Sequence, residues 1–371
     1  MTVKDDLLDR FTQDFHKKIA GRNIIEWGRY LSSIDDTAFP VDHLGTLFKL
    51  YSLYAYIEFP YIRIMSSQRS KGVIDKLVYL DLFSGNGLNK IEINNSKIFV
   101  CGSPILALLA SHFMSDEMCD RYFDHMILID KNISNSTLLS KRLERLLQEL
   151  EIASRLNLSN TLETNPNITT ITGDMTDNHF VDRLVTHLDK IWSNSRSIHI
   201  MMFIDPGSPQ NLRMSSLKKL LSFPGDVIML LHPGLFSQMV NKKRYKPETL
   251  QSMLDISIAE SRQLLSKTYS PSRLGDYYVG KYKKAIQDIE IRKIITGSSR
   301  REVIKTASIK TIQSKYTLLY ATRKTGGNHY MKWQTTFENF ANKIGRLSDS
   351  GSHALSILTG NQGRIDSFFG I

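Results

Sequence analysis

Five short apolar runs, separated by longer stretches of helical character, constrain the fold of this chain more than any other feature. The runs are Lys76–Phe83, Met126–Asp130, Ile168–Thr172, Ile198–Asp205 and Asp226–His232. Short runs that are apolar throughout predict strands covered on both faces. Strands that alternate with helices predict a parallel sheet with right-handed crossovers. The sequence therefore predicts an α/β fold built on a doubly wound sheet.

Helices are predicted before this sheet and a strand pair after it. Apolar residues recur every three or four positions between Leu7 and Ile19, and the stretch from His43 to about Tyr56 is apolar nearly all round. Arg301–Lys310 and Lys315–Arg323 predict an antiparallel hairpin that completes the sheet. We therefore divide the chain into five parts: a helical N-terminal extension (1–75), a core (76–240), a basic insertion (241–300), a hairpin with a helix (301–347) and a flexible tail (348–371).

A glycine-rich turn, Asp81-Leu82-Phe83-Ser84-Gly85-Asn86-Gly87, ends the first predicted strand. Glycine has no Cβ, so such a turn lets the backbone approach a ligand closely. The turn is not a G-x-G-x-x-G fingerprint, because Asn89-Lys90 follow it, and the chain has no Gly-Lys-Ser/Thr of a Walker loop. Taken alone, the turn is equally compatible with a purely structural role.

Carboxylates at the ends of later strands favour a ligand site. Asp130, Asp174 and Asp205 stand at or just after the ends of three further runs, as Asp81 does in the first. Any one of them could instead cap a helix. Because the carboxyl ends of parallel strands share one edge of an open sheet, four together predict a crevice for an adenosine-type ligand.

The glycine turn resembles motif I (D-x-F-x-G-x-G) of S-adenosylmethionine-dependent methyltransferases, and the later Asp residues stand where motifs II, III and IV would fall. A closer resemblance, over roughly residues 40–330, is to the three-Cys-motif partner protein family. Four segments carry it: the aromatic helix Leu47–Phe59, Gly102-Ser103-Pro104, Phe203-Ile204-Asp205-Pro206 and Tyr316–Arg323. The resemblance implies a Rossmann-like methyltransferase fold.

The resemblance also implies which residues bind the cofactor, S-adenosylmethionine: Asp81, Phe83, Gly85, Gly87, Ser103, Asp130 and Asp174. The glycines would face its methionine part, and Asp81 would hold its amino group directly or through water. Asp130 would bind the ribose and Asp174 the adenine amino group. Ser103 at an N-cap, followed by Pro104, also predicts a helix start whose N–H groups attract an anion such as the cofactor carboxylate.

Motif IV departs from the pattern of enzymes that methylate amino groups of DNA bases. Those enzymes, and usually the partner family, carry an aromatic residue after Asp-Pro that stacks on the extruded base, whereas this chain has Gly207-Ser208. Asp205 and Pro206 remain the predicted catalytic residues, and Phe236 or Tyr245 could supply the missing wall. No Cys stands at motif IV, so cytosine-C5 methylation through a thiolate is not predicted.

Positive charge is concentrated late in the chain. Residues 241–346 hold 22 Lys and Arg against 8 Asp and Glu, a net charge of +14, whereas the remainder carries −3. This distribution favours a polyanionic partner, DNA first and RNA as an alternative. Lys242, Lys243, Arg244 and Lys246, around Tyr245, are the predicted nucleic-acid contacts, although a solvated loop is the competing interpretation.

The last residues form a possible partner-binding peptide. The pattern Gln362-x-x-Ile365-x-x-Phe368-Phe369 resembles the PIP box, by which proteins bind the PCNA sliding clamp. One helical turn would place Ile365, Phe368 and Phe369 together as an apolar plug, with Gln362 in a separate polar pocket. Docking on the protein's own domain is the alternative, but two exposed phenylalanines after a polar segment favour a partner. PCNA clamps occur in archaea and eukaryotes, so the resemblance also indicates such a source.

Several other classes are excluded by what the sequence contains. Cys101 and Cys119 are too few for a disulfide framework or a Cys-based zinc module, and no histidines stand at metal-ligand spacing. Ser84 is not in an esterase elbow. We interpret His232 as a satisfied core histidine that can also line the pocket.

The chain start is acidic and its most apolar stretch, 44–65, carries three charges, so neither a signal peptide nor a membrane span is predicted. We expect an intracellular, cytoplasmic protein associated with the nucleoid. The sequence favours a methyltransferase-like protein acting on or at DNA and recruited by the clamp. The alternatives are a non-catalytic adaptor that binds clamp and DNA, and an RNA methyltransferase.

Overall fold

The computed structural model describes residues 22, 24–40, 45–57, 61–93, 96–118, 123–156, 167–292, 299–301, 303–310 and 315–323. The helix predicted between Leu7 and Ile19, segment 324–347 and the tail 348–371 lie outside the described residues. The PIP-box prediction therefore concerns residues without a structural description.

The described residues alternate between strands and helices along most of the chain. The strands are β1 (Phe39–Pro40), β2 (Lys76–Asp81), β3 (Leu88–Ile93), β4 (Ser96–Cys101), β5 (His125–Asp130), β6 (Asn167–Thr172), β7 (Ile198–Ile204), β8 (Gly225–Leu231), β9 (Val303–Lys310) and β10 (Lys315–Thr322). The helices are α1 (Ile24–Ser32), α2 (Gly45–Tyr56), α3 (Ile62–Ser70), α4 (Ser103–Met118), α5 (Ile133–Leu156), α6 (Asn178–Ser193), α7 (Met214–Leu221), α8 (Pro233–Asn241), α9 (Pro247–Leu254), α10 (Ile258–Ser266) and α11 (Pro271–Asp288).

A seven-stranded mixed sheet of order β6-β5-β2-β7-β8-β10-β9 forms the centre of this α/β fold. The first five strands in that order are parallel to their neighbours, as predicted. β10 pairs antiparallel with both β8 and β9, so the predicted hairpin is confirmed. The chain leaves β2 toward β5 and β6 and then returns to β7, so the direction of winding reverses between β2 and β7.

Helices cover both faces of this sheet. Tyr79 and Phe203 face a core cluster that includes residues of α1 to α5, such as Trp27 and Leu139. Alternate strand residues, such as Leu80, face a second cluster formed with α6 to α11. Because the strands are buried on both sides, their sequences are apolar at nearly every position, which is the pattern that predicted them.

Two regions differ from expectation or add to it. β3 and β4 form an antiparallel pair immediately after the glycine turn, and β1 joins their edge; none of these strands was predicted. The segment described as a basic insertion contains α9, α10 and α11, whose apolar residues belong to the second core cluster. These helices pack against α7 and α8, and most of their basic side chains are exposed.

Candidate functional site

One pocket of about 540 Å³ lies at the carboxyl ends of the parallel strands, next to the reversal between β2 and β7. Eight residues predicted from the sequence line it together: Phe83, Gly85, Gly87, Ser103, Asp130, Asp174, Asp205 and Pro206. Seven of them lie at or after the ends of four parallel strands, so the direction of the sheet explains why they meet; Ser103 instead begins α4, directly after β4 of the smaller sheet.

The glycine turn forms one wall of the pocket and needs its glycines. Gly85 and Gly87 have φ values of +62° and +82°, which side chains rarely adopt. A Cβ on Gly85 would lie 2.7 Å from the Phe39 ring, and one on Gly87 would lie 2.8 Å from Leu139. Alanine at either position would therefore strain the turn and collide with its neighbours.

Asp81 lies beneath the pocket and does not line it. Ser103 Oγ, which does, donates to Asp81 Oδ2 at 2.6 Å, and the Phe83 N–H and Tyr79 hydroxyl also donate to this carboxyl group. Burial raises the pKa of Asp81 to about 7, although these three hydrogen bonds favour its charged form. Any contact between Asp81 and a ligand would therefore run through Ser103 or water.

Asp130 and Asp174 are held by the loops that follow their strands. Asp130 accepts hydrogen bonds from the Gly85 N–H at 3.2 Å and from Asn132 N–H and Asn135 Nδ2 at 2.8 and 3.0 Å. Asp174 accepts from both the N–H and the hydroxyl of Thr176. Asp130 thus ties the second strand end to the glycine turn, and each carboxylate is oriented by the protein.

A buried arginine fixes the outer wall of the pocket. Arg142 of α5 is fully buried and donates to the carbonyl oxygens of Asn86, Asp35 and Thr37 at 2.6 to 2.8 Å. Asn86 belongs to the glycine turn, whereas residues 35–37 lead into Phe39, an exposed aromatic residue that lines the pocket. The guanidinium of Arg142 therefore fixes the glycine turn and residues 35–37 relative to each other.

The Asp-Pro corner, which we define as Lys49, Asp205, Pro206, Gly207 and Asn211, forms the opposite wall of the pocket. Lys49 Nζ, from α2, donates to Asp205 Oδ2. Burial alone would raise the pKa of Asp205, but the Lys49 ammonium and His232 outweigh it and hold that pKa well below its usual range. The Asp205 carboxylate is therefore ionised and paired within the protein.

His232 supports Asp205 from behind. Its Nε2 lies 3.7 Å from Asp205 Oδ1, which is longer than a hydrogen bond. Within the described part of the chain, both of these buried atoms lack a hydrogen-bond partner. His232 is buried and its ring packs edge-on against Tyr316, so its prediction as a core histidine is confirmed. Its Nε2 is unsatisfied and it does not line the pocket, so those two parts of our interpretation are wrong.

The carbonyl oxygen of Pro206 is occupied as well. It accepts from the Ser208 N–H at 2.6 Å and from Asn211 Nδ2 at 2.7 Å, in a turn where Gly207 has a φ of +63°. The two acceptors that an Asp-Pro motif could offer to a bound amino group, Asp205 Oδ2 and Pro206 O, thus already accept hydrogen bonds from this protein.

A second Asp–His pair joins the opposite, amino ends of β7 and β8. His199 Nε2 lies 3.9 Å from Asp226 Oδ1, and Tyr61 OH lies 2.9 Å from His199 Nδ1. Asp226 accepts from the hydroxyls of Tyr56 at 2.5 Å and Thr322 at 2.6 Å. Burial lowers the pKa of His199 to about 4 despite the nearby Asp226 carboxylate. This pair is buried in a network of hydroxyl groups.

Two predicted sources of an aromatic wall, Phe236 and Tyr245, are excluded by their positions. Both are buried in the second core cluster, where Phe236 stacks on Tyr278 at a centroid distance of 4.7 Å, and neither lines the pocket. The four predicted nucleic-acid contacts, Lys242, Lys243, Arg244 and Lys246, are exposed and also lie outside the pocket lining. Their role in binding remains a prediction.

Sequence reasoning missed Lys49, the role of His232 and the wall residue Phe39. The sequence did contain a signal for Lys49. It is the one charged residue between Leu44 and Ile57, and the helix predicted for this apolar stretch must be covered by other structure. A buried charge requires a partner of opposite sign. Only the fold identifies that partner as Asp205, 156 positions later.

The ranges described here contain no group of three or more His, Cys, Asp or Glu side chains that could hold a metal ion. None of the helices in them is long and apolar enough to cross a membrane. Comparison with protein-family models and with curated proteins found no match to this chain.

Proposed function

We propose that this chain is an S-adenosylmethionine-dependent methyltransferase-like protein that acts on nucleic acid, with DNA as the first expected partner, and that the PCNA sliding clamp recruits it. The observation that carries the proposal is that residues from all four motifs line one and the same pocket. The Rossmann-like assignment and the similarity to the three-Cys-motif partner protein family are parts of this proposal.

Strand order supports the cofactor assignment. Numbered along the chain, the parallel strands β6-β5-β2-β7-β8 stand in the order third, second, first, fourth, fifth, which is the order of dinucleotide-binding sheets. In those sheets the ligand binds beyond the carboxyl ends of the strands where the order reverses. The pocket lies at the corresponding place in this chain.

The residues present fit the proposed cofactor. Gly85 and Gly87 line the pocket and present backbone without side chains to it, which suits the methionine part. Asp130 and Asp174, oriented by their loops, would hold the ribose and the adenine. When bound, the cofactor would supply an electrophilic methyl group on a sulfonium centre. The protein's own contribution would be to orient it and to exclude water through the wall at Phe39.

Calorimetric titration with S-adenosylhomocysteine tests the cofactor site. Asp130→Ala removes the carboxylate expected at the ribose, so affinity should fall by roughly ten- to a hundredfold, equivalent to ~1.5–3 kcal/mol. Asp182→Ala is the matched control, because Asp182 is exposed on α6 and pairs with Lys219 away from the pocket. Absence of binding to the wild type at millimolar ligand would refute the enzyme proposal.

Salt dependence tests the nucleic-acid part. Binding to DNA should weaken steeply as salt rises, because Lys and Arg side chains displace counterions from phosphates. Replacing Lys242, Lys243, Arg244 and Lys246 by Gln should flatten this slope. An unchanged slope would assign the contacts to other residues.

Clamp recruitment rests on the sequence pattern of the tail alone. The peptide Gln362–Ile371 should bind the cognate clamp with about micromolar affinity, since a short isolated peptide loses conformational entropy when it binds. Phe368→Ala with Phe369→Ala should abolish clamp binding in the full chain, because each aromatic anchor contributes ~2 kcal/mol or more. The melting temperature of the full chain should be the same with and without this double substitution. Early melting of the variant would instead mean that these residues pack on their own domain.

The occupied Asp-Pro corner favours a second candidate, a non-catalytic adaptor that retains the cofactor pocket and binds clamp and DNA. In that case Lys49 and Asp205 form a structural ion pair. The adaptor would bind S-adenosylhomocysteine and the clamp, yet transfer no methyl group to DNA or RNA. Methyl transfer measured on both nucleic acids separates the two candidates.

A further inference from the structure

We propose that Lys49 determines the class of methyl acceptor, and that the acceptor is an oxygen nucleophile, the ribose 2′-hydroxyl of an RNA strand. This inference rests on the proposed function, because it requires the cofactor to bind in the pocket. It narrows that function by choosing a hydroxyl group over the exocyclic amino group of a base, and it thereby puts RNA in the place of DNA as the first expected substrate.

The corner offers little to an amino acceptor. A base amino group presents two N–H donors and needs hydrogen-bond acceptors around it. Pro206 O already accepts twice, from Ser208 and Asn211, whereas Asp205 Oδ2 accepts once, from Lys49, and keeps one further lone pair. One acceptor position therefore remains, which is enough for a hydroxyl group but too few for the two N–H groups of a base. Asp205 Oδ1 is buried toward His232. An extruded base would also find Gly207-Ser208 where a stacking residue is expected.

The same corner is complementary to a hydroxyl group. A hydroxyl both accepts and donates, and the Lys49–Asp205 pair presents one donor and one acceptor side by side. An ammonium carries three N–H donors, and Asp205 Oδ2 is the hydrogen-bond partner the structure gives Lys49. Lys49 lines the pocket, so a further N–H can reach an acceptor oxygen there. A fixed cation beside an oxygen stabilises the negative charge that develops on it.

The chemical step balances with these groups alone. The hydroxyl oxygen attacks the methyl carbon, the new C–O bond forms as the C–S bond breaks, and the electron pair of the broken bond stays on sulfur. The hydroxyl proton becomes strongly acidic as the C–O bond forms, so it passes to the Asp205 carboxylate and then to water. Lys49 keeps its protons throughout.

RNA is the nucleic acid that carries this acceptor at every nucleotide, whereas DNA has hydroxyls only at its ends. The positive charge of residues 241–346 suits either polymer, so the choice rests on the corner and not on charge. DNA methylated on a base is therefore the opposing outcome of the test.

The experiment uses the full chain, methyl-labelled S-adenosylmethionine, and total RNA and genomic DNA from cells that lack the protein. After digestion, we expect label in 2′-O-methylated nucleosides of RNA and none in DNA. Label on a base of either polymer would overturn the inference. Cofactor binding without label in either polymer would also overturn it, in favour of the adaptor. If S-adenosylhomocysteine itself fails to bind, the proposed function fails first.

Variants of the pair test the role of Lys49. Lys49→Ala should lower transfer to RNA by about a hundredfold, as expected for loss of a donor to a developing oxyanion. Its affinity for S-adenosylhomocysteine should stay within about twofold, because equilibrium binding does not use the acceptor side. Lys218→Ala, which breaks an exposed Lys–Asp pair outside the pocket, should behave as wild type. Unchanged transfer by Lys49→Ala would overturn the assignment.

An equilibrium measurement avoids dependence on turnover. With S-adenosylhomocysteine bound, the wild type should bind an RNA oligonucleotide more tightly than the same sequence methylated at every 2′-oxygen. Lys49→Ala should lose this preference. If that variant melts early, Lys49→Met combined with Asp205→Asn removes both charges at similar volume and should lose the preference too. A preference that survives in a folded variant would contradict the proposal.

Discussion

The two Asp–His pairs of β7 and β8 stand at opposite ends of the same two strands, and their surroundings differ. At the amino ends, His199 and Asp226 are enclosed by hydroxyl groups that donate to the carboxylate or contact the ring. At the carboxyl ends, Asp205 is paired with Lys49 at a pocket, while its Oδ1 and His232 Nε2 have no hydrogen-bond partner among the described residues.

If the proposed function holds, the difference separates a structural use of these residue types from a functional one. Buried polar groups in a purely structural role are normally all satisfied, because each unsatisfied one costs about 1–3 kcal/mol. The pair at the amino ends fits that rule and connects α2 to the sheet through Tyr56. The pair at the pocket breaks the rule, and such local exceptions are expected where a site serves a ligand.

The largest effect should come from removing the two carboxylates in turn. Asp226→Ala removes the buried carboxylate that accepts from the hydroxyls of Tyr56 and Thr322, and loss of one partner from such a network costs roughly 3–5 kcal/mol. Asp205→Ala should cost less than Asp226→Ala, because Lys49 lines the pocket and can turn toward the solvent there. Urea unfolding of both variants at neutral pH measures this. Equal losses would remove the distinction between the two pairs.

Asp81, which lies beneath the pocket, should make the free energy of unfolding fall as pH rises. The pKa of Asp81 is about 7 in the folded protein, whereas an unfolded Asp titrates near pH 3.8. Between these values only the unfolded chain loses the proton, so this group costs up to about 4 kcal/mol by pH 7. Asp81→Asn should abolish that loss. Unfolding curves from pH 4 to 8 check it, with exposed Asp182→Asn as the control.

His199, at the amino ends of β7 and β8, should have the opposite effect and lower the free energy of unfolding as pH falls. Its pKa is about 4 in the folded protein against 6.5 for an unperturbed histidine, so protons bind first to the unfolded chain as pH falls. Stability should therefore drop by about 3 kcal/mol between pH 6.5 and pH 4. His199→Asn should remove this acid sensitivity and leave the Asp81 slope exposed. A variant with the same acid limb as wild type would contradict the assignment.

The smallest effect on stability is expected when the tyrosine that contacts each histidine is replaced by phenylalanine. Tyr61→Phe removes the hydroxyl that bonds to His199 Nδ1 and should cost about 1 kcal/mol. Tyr316→Phe keeps the ring that packs edge-on against His232 and should leave stability within a few tenths of a kcal/mol. Paired denaturation curves resolve this difference. A larger loss at Tyr316 would show that its hydroxyl has a structural role.

The sequence predicted the parts of this fold that local pattern controls. Strands buried on both faces are apolar at nearly every position, so β2, β5, β6, β7 and β8 were found within one or two residues of their observed bounds. The meeting of Asp130, Asp174 and Asp205 followed from parallel strand direction alone. The pair β3–β4 was missed although Asn94-Asn95 is a turn signal, because Leu88–Ile93 is short and partly polar.

What remained unpredicted depends on contacts between distant segments. The Lys49–Asp205 ion pair joins α2 to the end of β7, and neither segment carries a pattern that refers to the other. Arg142 resembles any arginine of an amphipathic helix in sequence, yet in the structure it binds carbonyl oxygens of the glycine turn and of residues 35–37. Such contacts are decided by packing, which periodicity does not report.

The position of β10 has a consequence for how the chain folds during synthesis. β10 is the last described strand, but it lies between β8 and β9. Until residue 322 has left the ribosome, β8 has an unpaired edge, although all its residues are buried in the finished sheet. During the same period β9 lacks β10, the strand with which it pairs. Unpaired apolar edges are where nascent chains associate wrongly. Ribosome-bound chains that end before Lys315 should therefore need chaperone protection, which chains released past Thr322 no longer need.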